Sequence, residues 1–255
     1  MTTPLAGLRV VIGRPREQAA RQLQLFAEAG AEVLALPLID IQPPLDPLPL
    51  QHAAAQLATY DLLILVSPSA VDMAMPRLLQ GRDWPATLQV ALVGRGSAAA
   101  LRRWLAVEPL LPQSGADSEA LLQLPELQSL PGKRVLLLRG NGGRDLLADA
   151  LRQRGAQVEI VEAYRRALPC VDLSPLYRQG LTALLLTSSE ALANLLQVAG
   201  ESRRQSLQSL VIFAIHPRIA DYARNSGFGS VMLAEGGDAA LLTAVCDWFA
   251  ARKKA

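Results

Sequence analysis

YDLLILVSPSAV (residues 60–71) and LTALLLTSSEAL (residues 181–192) carry one pattern twice, 121 residues apart. Each is an aliphatic run that breaks into a small hydroxylated turn and then resumes as an apolar segment of helical spacing. The register holds without a gap across 60–122 and 181–243: Ser67 falls on Ser188, Ala70 on Ala191, Val90 on Val211, Arg103 on Arg224, Asp117 on Asp238 and Leu121 on Leu242. A second pair, 7–33 and 132–158, aligns at an offset of 125, with Gly7 on Gly132, Arg9 on Arg134, Arg14 on Arg139 and Gly30-Ala31 on Gly155-Ala156. The order along the chain is therefore A, B, A′, B′. Identities are few, so the constant register and the shared hydrophobic pattern carry the duplication.

Within unit A, Leu8–Ile12 has strand length, Gly13-Arg14-Pro15 makes a turn, and Gln18–Ala29 follows with Ala19, Leu23, Phe26 and Ala27 at helical spacing. Gly30 closes that helix, and Glu32–Leu36 begins the next strand. Unit A′ repeats the order as Arg134–Leu138, a glycine-rich turn, helix Asp145–Arg154, Gly155 and strand Gln157–Val161. Unit B gives strands Leu62–Val66, Gln89–Val93 and Glu108–Leu111, with helices from Ala70, over Ala98–Leu105 and over Ser118–Leu124. Unit B′ answers with Leu184–Leu186, Val211–Ile215 and Val231–Leu233. Strand–helix–strand units of this length specify parallel sheets with crossover helices. Asp117 and Asp238 stand where an N-cap belongs.

The expected fold class is α/β: two similar lobes, each a parallel sheet flanked by helices, joined by a two-stranded linker. Pro37–Pro49 holds five prolines, which cannot serve an interior strand, and Glu162–Pro175 contains Pro169 and Pro175. Reading both as linkers assigns 1–38 plus 167–255 to a first, discontinuous lobe and 39–166 to a second. At 255 residues, two lobes of roughly 120 residues each can bury their own cores.

Composition narrows the function classes. The formal net charge is only +2, and no Lys/Arg run tracks a nucleic-acid backbone; Arg252-Lys253-Lys254 is a short tail. Cys170 and Cys246 have no neighbouring His and are expected to be reduced. No apolar run reaches the roughly 18 residues of a membrane span, and Met1-Thr-Thr-Pro-Leu lacks the pattern of a signal peptide. The expectation is a cytoplasmic monomer acting on a small molecule, without nucleic acid or membrane as partner and without a metal site.

Ligands of open parallel sheets bind outside the carboxyl ends of the strands. Those ends carry Arg14, Ser67-Pro68-Ser69, Gly94-Arg95-Gly96-Ser97, Arg139-Gly140-Asn141, Thr187-Ser188-Ser189 and His216-Pro217-Arg218. Each precedes a helix, whose N–H groups and dipole favour anions. Serine and glycine are also ordinary caps and turn residues, but arginine at four of six turns favours a receptor for several carboxylates or phosphates. Gly94–Ala99 formally fits G-x-G-x-x-A, so a dinucleotide-binding oxidoreductase stands as an alternative. Its repeat partner, Ile215–Ala220, lacks both glycines. A noncatalytic polyanion receptor is the other alternative. His52 is a surface residue, His216 a possible proton donor or a polar turn residue, and Tyr164 either a cleft-facing hydroxyl or a hinge residue.

Taken in order, Gly13-Arg14-Pro15, Leu65–Val71, Val93–Ala99, Leu137–Arg144 with Gly155, Val161–Arg165 and Leu186–Ser189 resemble the uroporphyrinogen-III synthase family over nearly the whole chain. That resemblance implies two α/β lobes, the first built from both chain ends. It also implies an enzyme that closes hydroxymethylbilane, a linear tetrapyrrole with eight carboxylates, with loss of water and inversion of the terminal ring, using no cofactor. The resemblance further places Tyr164 as the residue assisting departure of the hydroxyl. It puts Ser67, Ser69, Arg139, Gly140, Asn141, Thr187, Ser188 and Ser189 on carboxylate-binding turns. Arg14, Gly94, Ser97, His216 and Arg218 complete the candidate substrate-binding set. The hydroxylated Gly-Pro-Thr-like turn common in the family is His216-Pro217-Arg218 here, so His216 or Arg218 takes its place.

Overall fold

The computed structural model describes residues 3–115, 117–143, 145–180 and 182–253. Ala116 of the Ser114–Asp117 turn, Arg144 of the Leu137–Arg144 motif, Leu181, Met1-Thr2 and the tail from Lys254 lie outside the described residues.

In chain order the regular elements are β1 (Arg9–Ile12), α1 (Arg16–Glu28), β2 (Glu32–Ala35), β3 (Asp40–Gln42), α2 (Leu48–Ala55), β4 (Leu62–Leu65), α3 (Pro68–Leu78), β5 (Gln89–Leu92), α4 (Arg95–Leu101) and α5 (Ser118–Leu121). They continue with β6 (Arg134–Gly140), α6 (Leu146–Gln153), β7 (Gln157–Ala167), β8 (Thr182–Leu186), α7 (Ser189–Ala199), α8 (Glu201–Leu207), β9 (Val211–Ala214), α9 (Pro217–Asn225), β10 (Ser230–Leu233) and α10 (Asp238–Lys253). One compact unit comprises Met1–Asp40 and Ala167–Ala255; the other is Ile41–Arg166. The chain passes between them within β3 and near the end of β7, and these two strands are neighbours in one sheet.

The first unit holds the sheet β10-β9-β8-β1-β2 and the second β3-β7-β6-β4-β5. The ladders β1–β2, β1–β8, β8–β9 and β9–β10 are all parallel, as are β4–β5, β4–β6 and β6–β7. β4, β8 and β9 are buried along their whole length, as parallel strands covered on both faces must be. Alternation then sorts the second unit's core. Leu63, Leu65, Val90, Leu92, Leu136 and Leu138 pack on one face with α3 and α4. Leu62, Ile64, Ala91, Val93, Val135 and Leu137 pack on the other with α6. In the first unit Val10, Ile12, Leu185 and Phe213 pack on Phe26 of α1 and on Leu241, Val245 and Phe249 of α10. Gly30 and Gly155 end α1 and α6 at φ of 90° and 94°, the left-handed cap that closes a helix without a Cβ penalty.

Four expectations need correction. Glu108–Leu111 is not a strand: a single bridge joins Leu110 to Ala91. The helix expected over Ser118–Leu124 stops at Leu121, and a 3-10 turn at Pro125–Leu127 follows. The helix expected at Ala98–Leu105 begins three residues earlier and ends at Leu101. Pro37–Pro49 and Glu162–Pro175 are not merely linkers, because α2 begins inside the first and β7 runs through Tyr164 to Ala167 in the second. None of the described helices is long and apolar enough to cross a membrane.

Candidate active site

The end of β6 and the middle of β7 build the most specific arrangement of the second unit. Their register is regular from Arg134↔Gln157 to Arg139↔Glu162, and then Gly140 meets Tyr164 rather than Ala163. One extra residue in β7 is a β-bulge, which turns the following side chain over. Consecutive residues Ala163 and Tyr164 therefore both enter the same core cluster, which an unbroken strand forbids.

Tyr164 lies at 1% exposure, with its ring across the backbone of Gly140. A Cβ on Gly140 would stand 2.6 Å from Cζ, 2.8 Å from Cε2 and 3.0 Å from the phenolic oxygen. Glycine is required here for close approach, not for a left-handed turn, since its φ is outside the positive range. The phenolic oxygen is 3.1 Å from Ser67 Oγ and accepts from Arg166 Nη2 at 3.3 Å; the Arg166 guanidinium also lies 5.7 Å from the Tyr164 ring centroid. Asn141 locks this strand end, donating its amide N–H to Tyr164 O at 3.0 Å and accepting from Arg166 N at Oδ1, 2.7 Å. Asn141 thus holds Tyr164 and Arg166 in place.

Ser67 begins α3 in extended conformation, and its Oγ accepts from Ala70 N at 3.0 Å. Its repeat partner Ser188 does the same for α7, accepting from Ala191 N at 3.1 Å. Ser69 and Ser97 are buried, in the first turns of α3 and α4, and Gly94 is the extended residue that begins α4. Thr187 bridges β8 and α7, half-buried, and the buried Ser189 Oγ has no hydrogen-bond partner in the described structure. Asp117 caps α5 through Ala120 N at 2.8 Å. Asp238 instead opens α10 with its carboxylate accepting from Gln22 at 2.8 Å.

Both strand-end arginines of the repeat are engaged by acids at helix starts. Arg139 Nη1 lies 2.9 Å from Asp145, beside α6, and Arg14 Nη1 lies 3.2 Å from Asp238 of α10. Burial holds the Arg14 pKa below its ordinary value, with Asp238 acting in the opposite direction.

The turn at His216 departs from the expected backbone anion site. His216 Nδ1 accepts from Arg218 N at 3.1 Å, its carbonyl takes the amides of Ile219 and Ala220 at 3.0 and 3.2 Å, and Pro217 has no N–H. These first amides of α9 are thus used internally, and only the exposed side chains of His216 and Arg218 are left to meet a ligand. Sequence reasoning missed Arg166. Its partner Tyr164 is two residues away in the chain, a spacing common to countless exposed strand residues, and only the bulge makes it meaningful.

The fold and site define a class: a duplicated, two-unit α/β protein with hydroxylated and cationic turns after its strands, and one buried phenol fastened to a helix cap. Comparison with known proteins narrows it. The family model described as uroporphyrinogen-III synthase HemD matches residues 20–244. The uroporphyrinogen-III synthases of Salmonella typhimurium and Escherichia coli are each 33% identical over 237 residues, covering 91% of this chain and 96% of theirs. Of solved structures, uroporphyrinogen-III synthetase from Helicobacter pylori aligns with 94% of this chain and 99% of its own, at a TM-score of 0.60 and 16% identity. A mutant uroporphyrinogen III synthase from Thermus thermophilus aligns with 97% and 100%, at 0.58 and 21%; at such identities the structures speak for the fold. The chain belongs to the uroporphyrinogen-III synthase family. Gly94 caps α4 and Arg95–Ala99 lie within that helix, and the dinucleotide alternative is left without support.

Proposed function

We propose that this chain is a uroporphyrinogen-III synthase, a cyclising hydro-lyase that converts hydroxymethylbilane to uroporphyrinogen III. Family membership over residues 20–244 carries the reading. Electron-rich pyrroles expel hydroxide once it is protonated, leaving an azafulvenium cation. The protein's main task is to hold the chain so that the substituted carbon of the terminal ring attacks, which is catalysis by positioning. Uncatalysed closure gives the uninverted isomer.

Tyr164 assists departure of the hydroxyl by offering its phenolic proton to the leaving oxygen, which departs as water. Its tie to Ser67 at the start of α3 supports that role, as does the hydrogen bond that Arg166 donates to the phenolic oxygen. For that contact the ring must be uncovered from its buried position. Arg14, Ser67, Ser69, Gly94, Ser97, Arg139, Gly140, Asn141, Thr187, Ser188, Ser189, His216 and Arg218 serve the substrate's carboxylates, directly or by shaping the turns that do. The enzyme acts as a cytoplasmic monomer on a freely diffusing small molecule and needs no cofactor; its two free cysteines suit a reducing compartment.

The test supplies hydroxymethylbilane to the purified protein and separates the oxidised products by isomer. Isomer III should dominate at saturating protein. Isomer I in the proportion found without protein would reduce the chain to a noncatalytic polyanion receptor.

A further inference from the structure

The first unit contains a cavity of about 530 Å³, within the ~300–1,000 Å³ range of small-molecule sites. Thr182 opens β8 and Leu210 immediately precedes β9, so the cavity lies at the amino ends of these strands. The turns at Ser188 and His216 follow their carboxyl ends. Leu176, Tyr177, Thr182, Arg203, Ser206 and Leu210 line it.

Tyr177 is the anomaly in this wall. Its hydroxyl oxygen is buried and has no hydrogen-bond partner in the described structure, although a buried orphan hydroxyl costs stability that phenylalanine would avoid. Burial pushes the phenol pKa up, against the opposing effect of Arg203, so the hydroxyl keeps its proton and can donate. The Arg203 guanidinium lies 5.8 Å from the ring centroid. Arg178 and Arg203 line the cavity; behind them stand Arg9, which donates to Thr182, and the acids Glu32 and Asp172. Glu32 is shared by Arg9 at 3.3 Å and Arg178 at 3.8 Å, while Asp172 is held mainly by Ser174 and only weakly by Arg203. Positive charge is in local excess next to an unused donor.

We propose that this cavity is a second small-molecule site, taking a small organic carboxylate whose anionic end meets Arg203 and, once a turn of the ring uncovers it, accepts from the Tyr177 hydroxyl, with its apolar body on Leu176 and Leu210. The site is separate from the synthase chemistry and does not rest on it.

Benzoate is the probe and neutral benzamide its control, followed by ¹H–¹⁵N spectra of the full chain. Benzoate should shift the amides of Gly180, Thr182, Ser206 and Ser209 saturably, and benzamide should not. Arg203→Gln should weaken benzoate about tenfold or more, as loss of a charge-assisted contact does. Tyr177→Phe should weaken benzoate while leaving the melting temperature of the ligand-free protein unchanged or higher, which a merely structural hydroxyl would not do. Both variants should still form uroporphyrinogen III at the wild-type rate, so failure here is distinguishable from failure of the synthase reading. Unmoved amides with benzoate, equal affinity in Arg203→Gln, or a lowered melting temperature with unchanged affinity in Tyr177→Phe would each overturn the proposal.

Discussion

Gly140→Ala adds one methyl group to a strand and should cost far more than a methyl usually does. The backbone at Gly140 tolerates a side chain, since its φ is not left-handed, so the whole penalty comes from Tyr164. The new Cβ would lie 2.6 Å from Cζ and 2.8 Å from Cε2, where carbon atoms rest at about 3.5–4.0 Å. The ring must therefore retreat by about 1 Å, yet it is fully buried among Leu136, Leu138, Val161 and its other cluster neighbours. Overpacking of a tight core costs about 1–3 kcal/mol. Drawing the hydroxyl away from Ser67 and Arg166 forfeits about 1 kcal/mol more, so about 2–4 kcal/mol is expected in urea denaturation. The same substitution made in a Tyr164→Ala background meets no ring, and there the methyl should be neutral or stabilise by about 0.5–1 kcal/mol. The two sites should thus couple by at least about 2 kcal/mol in a double-mutant cycle. Uroporphyrinogen III formation should fall with the displaced hydroxyl. An equal cost of Gly140→Ala in both backgrounds would refute the reasoning, because the penalty would then belong to the backbone.

Three further outcomes follow from the same geometry. Tyr164→Phe should lower kcat more than it raises KM, by at most about 10²-fold, the low end of general-acid assistance; wild-type kcat in steady-state kinetics would leave positioning as the sole source of catalysis. Ser67→Ala and Ser188→Ala should each lose about 1 kcal/mol of stability as equivalent N-caps, but Ser67→Ala should depress kcat further because Ser67 also meets the phenol; equal turnover in both variants would count against that. Asp61 is kept below the usual carboxylate range by Lys133 and by the Arg134 N–H, so its contribution is complete above the unfolded value near 3.9 and vanishes as pH falls through the lower folded one. The stability gap between wild type and Asp61→Asn should hold at neutral pH and close below about pH 4, as denaturant titrations at several pH values would show.

The repeat made most of this fold legible. Runs such as Leu62–Leu65 and Thr182–Leu186 are apolar throughout, and serines placed just after them could hardly be anything but caps. What resisted reading was local. Pro47 and Pro49 look like breakers, yet they stand at the cap and in the first turn of α2, where the missing N–H costs nothing. Pro169 and Pro175 mark Glu162–Pro175 as a linker, yet β7 runs on through it to Ala167. The bulge at Ala163 has no glycine or turn residue to announce it, and without the bulge neither the Gly140–Tyr164 contact nor the role of Arg166 can be inferred. The turns after the strands were legible as positions, but the partners of their arginines were not: the acids that hold Arg14 and Arg139 come from helices whose approach only tertiary packing decides.

The duplication also separates what the two units share from what the second alone holds. Ser67 and Ser188 do the same capping work in both units, and Arg14 and Arg139 each meet an acid at a helix start. At the offset of 125 that relates the A units, however, Gly140 corresponds to Pro15 and Tyr164 to Ile39. Ile39 is buried and apolar, so the first unit presents no hydroxyl where the second presents a phenol. Capping serines and paired arginines are what any such frame needs to begin its helices and balance its charge, and their repetition carries little information about a reaction. A tyrosine that demands a glycine beneath it, a bulge to aim it and two polar partners for its oxygen is costly to assemble. Its occurrence in one unit alone makes the reaction, as proposed, asymmetric at the protein level: in that proposal anion recognition is distributed over both repeats, while help for the leaving group comes from the second.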